Sequence, residues 1–192
     1  AAFKIIQLIV NNFLECIPIH SQLNYFITTI GLYCQQHYDS NISFTAIQLL
    51  WSLMDYISKH KDSDLLFKSV CHTLVYSCYD SRIEVRNSAV KTLHTMLINN
   101  ITSPQFTGEL YHIIMTQSNL PLLIDLLRSE HEEEQQQDKQ MSKLTLDVHY
   151  SRDSSTKQWN ETRVLAIEGL ARLLKSFIEI KKPNIDILMD IW

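Results

Sequence analysis

Two groups of residues in this sequence have the types and spacings from which chemistry is made. Cys71, His72 and Cys78 place two thiols and an imidazole close together, and the cysteines, seven apart, share one helical face. Such a set could begin a metal site, but structural zinc centres draw on C-x-x-C pairs and the sequence has none. The four cysteines (Cys16, Cys34, Cys71, Cys78) are widely separated within apolar stripes, which reads as small core residues and free thiols of a cytosolic setting. The second group is Asp80, Arg82, Glu84 and Arg86, in which acids and bases alternate along one helix start. This set suits either a charge ladder between stacked helical repeats or a ridge that binds a protein partner, and the ladder is favoured because repeat neighbours commonly pair this way. No Gly-rich phosphate loop, G-x-S-x-G elbow or H-E-x-x-H helix occurs, and the eight histidines are scattered. The expectation is therefore no catalytic residue, no cofactor and no metal.

The helix that must position the second group runs from Asp80 through Leu93. Ser81 as cap and Glu84 three residues later have the spacing of a capping box, with Asp80 and Glu84 at the positive end of the helix dipole. Val85, Ala89, Val90, Leu93, Met96 and Leu97 recur at three and four and form one apolar stripe. Arg82, Arg86, Asn87 and Lys91 are expected on the opposite face.

The same register returns twice. A shift of 43 positions back sets Ile42, Ala46, Ile47, Leu50, Leu53 and Met54 on those six places, and a shift of 77 forward sets Thr162, Ala166, Ile167, Leu170, Leu173 and Leu174 there. A spacing of about 43 is that of a helix pair in HEAT and armadillo repeats. The longer interval is too long for one pair and holds either a pair plus an insertion or nearly two pairs. The fold read from this pattern is all-α, a right-handed α-solenoid of HEAT/armadillo-like repeats.

Three glycines and four prolines in 192 residues agree with helices joined by short turns. A net charge of -4 gives no reason to expect nucleic-acid binding. No uncharged apolar run is long enough to span a bilayer. The chain opens and ends inside amphipathic patterns and reads as a piece of a larger protein. The Asn-x-Ser/Thr triplets at Asn41, Asn100 and Asn160 read as helix-start chemistry rather than glycosylation sites.

Along the chain, helices are expected over about 2–16, 21–36, 40–60, 62–79 and 82–99. A sixth starts at Ser103-Pro104 and a separate seventh at Asn119. The run Glu130 to Asp138 has five acids and no apolar residue, and 130–156 reads as an acidic, Gln-rich, disordered insertion. Repeats occupy 1–129 and resume over 157–192, with an eighth helix from the Ser155-Thr156 start through Trp159 to Lys181. Trp51 and Trp159 flank apolar stripes and read as core anchors.

Three segments carry a resemblance. Asn41-Ile42-Ser43-Phe44-Thr45-Ala46-Ile47-Gln48-Leu49-Leu50-Trp51 with Asp55-Tyr56 is similar to a segment of the monensin-sensitivity (Mon-two) scaffold family of the Golgi, relatives of the large BIG-type Arf guanine-nucleotide exchange factors. Asp80-Ser81-Arg82 with Glu84 to Ala89 resembles the next segment, and Trp159 to Thr162 with Val164-Leu165-Ala166 and Gly169 resembles a third. They fall in order over 41 to 174, with Phe44 and Gln48 less typical of the family. The resemblance implies a non-catalytic scaffold in vesicle trafficking and protein sorting, cytoplasmic and peripheral on trans-Golgi network and endosome membranes. Its implied partners are a Dopey-family protein, an Arf-like GTPase and an aminophospholipid flippase, with membrane contact indirect. Alternatives are a regulatory repeat segment of a true Arf exchange factor and a karyopherin-like cargo carrier.

Overall fold

The structure is a computed structural model that describes residues 2–18, 22–60, 63–103, 106–126 and 155–181. Among them every regular element is helical: α1 (Ala2–Asn12), a 3-10 turn (Leu14–Cys16), α2 (Leu23–Gln35), α3 (Ser40–Ile57), α4 (Asp64–Ser77), α5 (Ile83–Asn100), α6 (Gly108–Ile114), α7 (120–126) and α8 (Ser155–Lys181). The proposed insertion, apart from the first turn of α8, and the segment 182–192 lie outside the described residues.

The helix starts follow local chemistry. Asp39 stands in extended backbone and its Oδ1 accepts from Asn41 N at 2.8 Å, which caps α3. Thr107 does the same for α6, accepting from Leu110 N at 3.1 Å. That places the start of α6 four residues after the expected Ser103-Pro104. The Ser81 capping box does not form. Arg82 is the N-cap of α5 and its backbone N–H is taken by Asp80 Oδ1 at 2.9 Å, because Asp80 is turned inward to hold the Arg82 side chain. Nor does the chain break before Asn119. A π turn, Met115–Asn119, carries α6 directly into α7, with Ser118 and Asn119 buried where an exposed cap was expected.

Packing sets the helices in two rows. α3, α5 and α8 are successive neighbours, as are α2, α4 and the α6–π segment, and α2 packs on α3 and α4 on α5. Helix α1 lies against α2 and α3. Neighbours within a row run parallel: Arg82 reaches Ser43 near the starts of α5 and α3, while Ser103 Oγ donates to Ser58 O at 3.0 Å beyond their ends. Two glycines permit the closest approaches. A Cβ on Gly31 of α2 would lie 2.7 Å from the Thr73 methyl of α4, and one on Gly169 of α8 would lie 2.3 Å from the His94 ring of α5.

The core is the six-position stripe seen three times. Val85, Ala89, Val90, Leu93, Met96 and Leu97 are all buried, as are Ala46, Ile47, Leu50, Leu53 and Met54 in α3, and Thr162, Ala166, Leu170 and Leu173 in α8. Aromatics close the far end, where Phe67 meets Phe106, Phe106 meets Tyr111, and Tyr111 stacks on Phe177 with ring centroids 3.5 Å apart. Some large apolar side chains of the helical segments stay outside the core. Leu65 is 79% exposed because Leu66 and Phe67 take the inward places on α4, and Phe13 and Ile167 are also exposed. No helix among the described residues is long and apolar enough to cross a membrane.

Candidate functional site

The alternating charges at the start of α5 stand between its two row neighbours. Asp80, buried in the turn after α4, grips Arg82 through Oδ1 to Nε at 2.9 Å and Oδ2 to Nη2 at 2.8 Å, a bidentate pair. Burial works against the Asp80 carboxylate, but the Arg82 hydrogen bonds and charge outweigh it and hold its pKa below the usual range. Held by the pair, the guanidinium points backward: Arg82 Nη2 donates to Gln36 O at 2.8 Å, where α2 ends, and to Ser43 Oγ at 3.1 Å in α3.

Arg86, one turn on, points the other way. It is 1% exposed, its guanidinium carbon lies 3.7 Å over the ring of Trp159, and Nε donates to Thr162 Oγ1 at 2.8 Å, both on α8. Nη1 turns back to Asp80 O and Ser81 O at 2.8 and 3.2 Å. The Thr162 hydroxyl passes the chain of bonds to Asn87 Oδ1 at 2.6 Å, and Asn87 Nδ2 donates to Glu161 Oε1 at 3.0 Å. Arg86 and Asn87 are thus interior residues of the α5–α8 seam. Glu84 is exposed and adds charge near Arg82 without touching it. Lys91 is exposed as expected.

The repeat register links Arg86 to two further residues of similar role. Ser43, Arg86 and Arg163 are equivalent under the 43 and 77 shifts, and each donates to a backbone carbonyl of an earlier segment. Ser43 Oγ reaches Gln36 O at 3.3 Å, Arg86 reaches Asp80 O, and Arg163 Nε reaches Leu126 O at 2.6 Å. Arg163 also donates to Asn160 Oδ1. Gln36 O and Asp80 O lie just past the ends of α2 and α4, and side chains of the next helix satisfy them. The signal was present in the alignment of Arg163 with Arg86.

The thiol group gathers differently. Cys34, Cys71 and Cys78 are buried, and burial pushes the Cys34 thiol up to about 12 and the other two higher still, so none is a thiolate at neutral pH. His72 is exposed and stacks edge-on against Tyr76, away from the thiols. Among the described residues no three His, Cys, Asp or Glu side chains are grouped to hold a metal. His94 is the one histidine the sequence reading under-weighted: it is 2% exposed, facing Gly169, with Nδ1 3.0 Å from Val90 O.

What the fold and this seam define is a helical protein whose parallel neighbours are stitched by arginines at the helix starts. The comparisons then give the family. Residues 59–187 match the family model of the C-terminal region of Mon2 protein, so the chain belongs to the Mon2 family and corresponds to that region. It is 30% identical over 179 residues to the Monensin-resistant homolog 2 of Caenorhabditis elegans, covering 89% of this chain and 10% of that protein. The Protein MON2 homolog of Drosophila melanogaster is 28% identical over 209 residues and that of Homo sapiens 26% over 218, covering 93% and 95% of this chain. The chain spans 10% to 12% of the length of these relatives. No solved structure matches it.

Proposed function

We propose that this chain is a non-catalytic stretch of a right-handed, HEAT/armadillo-like α-solenoid within a scaffold of Golgi and endosome vesicle trafficking, acting by protein–protein contact at the membrane surface. The observation that carries the reading is family membership over 59–187, and the register of the cross-helix bonds supports the repeat part of it. Arg82 ties α5 to the helix pair 43 residues before, and Arg86 ties it to the helix 77 positions after, as expected where one unit stacks on the next. The family implies a Dopey-family protein, an Arf-like GTPase and an aminophospholipid flippase as partners, and a peripheral place on trans-Golgi network and endosome membranes.

The test is direct binding of the purified chain to a Dopey-family protein and to Arf-like GTPases in both nucleotide states, with size-exclusion chromatography of each mixture. Co-elution with either supports the scaffold reading for this stretch. Failure with all of them assigns partner binding to other parts of the parent protein and leaves this stretch a spacer.

A further inference from the structure

Large apolar side chains are exposed on α2 and α4, as they are on α8 through Val164, Ile167 and Ile178. The exposed positions of α3 and α5 are polar, with Asn41, Gln48 and Asp55 followed by Glu84, Lys91 and Thr95. The row of α2 and α4 instead exposes Tyr25, Leu32, Leu65 and Tyr76, each between 58% and 79%. Beside these, between α4 and the π turn, lies a groove of 280 Å³ lined by Leu65 and Ile113 together with Lys68, His72, Gln117 and Ser118. No acid lines it, and Lys68 makes no ion pair among the described residues, although Asp64 stands one turn before it. The wider π turn forms one side of the groove, and such turns recur at functional positions.

We propose that this groove docks a short peptide segment of a partner protein, one that carries a bulky apolar side chain beside a carboxylate. At about 280 Å³ the groove has room for a single anchoring side chain. Leu65 and Ile113 supply apolar surface for that anchor, and Lys68 supplies the charge that fixes its orientation. A single lysine falls far short of the four to eight or so basic residues of a lipid-headgroup surface, which decides for a protein ligand over a membrane. The proposal rests on the reading of the chain as a protein-binding scaffold, but its test uses none of the partners named there.

The experiment selects short random peptides displayed on phage against the wild-type chain, then measures the selected peptides by fluorescence polarisation. The expected result is a common acidic–apolar motif whose affinity falls about tenfold or more for Lys68→Glu, where attraction becomes repulsion, and for Ile113→Asp. Exchanging the peptide carboxylate for lysine should restore binding to Lys68→Glu, a result that loss of folding cannot produce. Lys68 is half-buried and outside the core, so its variant should keep the wild-type circular dichroism and melting temperature. Selection of no motif, or of peptides that bind both variants as tightly as wild type, overturns the proposal. So does binding to phosphatidylserine vesicles that Lys68→Glu abolishes while no peptide competes. Either failure leaves the binding test with Dopey-family and Arf-like proteins unaffected.

Discussion

Gly169 lies beneath the imidazole of His94, and three ring atoms would stand 2.3 to 2.9 Å from a Cβ placed there. The ring cannot swing clear, because Nδ1 is bonded to Val90 O. Gly169→Ala should therefore destabilise the fold by about 1–3 kcal/mol, and the same change in a His94→Ser background should cost clearly less. An unchanged denaturant midpoint for the single variant would mean that α5 and α8 pack less closely than described. His94 itself predicts a pH dependence. Burial lowers its pKa from 6.5 to about 4, the charge of Arg172 adds to the effect, and the bonds to Val90 O and Asn119 oppose it. The unfolded chain thus binds a proton near pH 6.5 that the native chain refuses until about pH 4. Stability from this residue is complete above pH 6.5 and falls as the pH drops toward 4, by about 3 kcal/mol in total. Denaturant titrations across that window should show a slope that His94→Gln flattens.

At the level of the helix, the stripe predicts where truncation hurts. Leu93 is fully buried between the rows, so Leu93→Ala should cost about 2–5 kcal/mol. Lys91, two residues away and exposed, should tolerate alanine within about 0.5 kcal/mol. Equal losses in the two titrations would show that the stripe is not the core. These helices were legible because apolar residues at three and four recur with a fixed small residue, and because Asp39 and the Gly/Pro-poor composition leave few other folds open. What was not legible came from choices made between helices. Periodicity gives Leu65 and Leu66 equal claim to the core, and only the placing of Phe67 against Phe106 decides it. The Ser81–Glu84 spacing fits a capping box, yet Arg82 becomes the N-cap, its backbone N–H and side chain both held by the inward-turned Asp80 carboxylate. The sequence leaves Arg86 open between an inter-repeat ladder and a partner-binding ridge because it shows a helix without the neighbour that covers it. Asn119 looked like a helix start since the extra residue of a π turn has no periodic signature.

Across the whole molecule, Arg82 and Arg86 make α5 the member through which the other helices are coupled. Arg82 joins it to α2 and α3, Arg86 and Asn87 join it to α8, and the two sets of bonds leave from adjacent turns of one helix. In a stack where each unit touches only its neighbours, stability is a sum of unit and interface contributions, and a weakened interface lets one end open first. Arg86→Leu removes the Trp159 contact and the bond to Thr162 and leaves the buried Asp80 carbonyl without this donor, a loss of about 1–3 kcal/mol for that unpaired group plus the lost contacts. That loss falls on the seam with α8 and on the turn before α5, and spares the contacts among α2, α3 and α4. Hydrogen exchange of this variant should therefore show α8 opening well before α2, α3 and α4, whereas in the wild type their slowest amides exchange together. Arg82→Leu should produce the opposite asymmetry, with α2 and α3 released while α5 and α8 stay protected. If both variants instead raise exchange uniformly, the chain unfolds as one block and the arginines stabilise it without dividing it into coupled units.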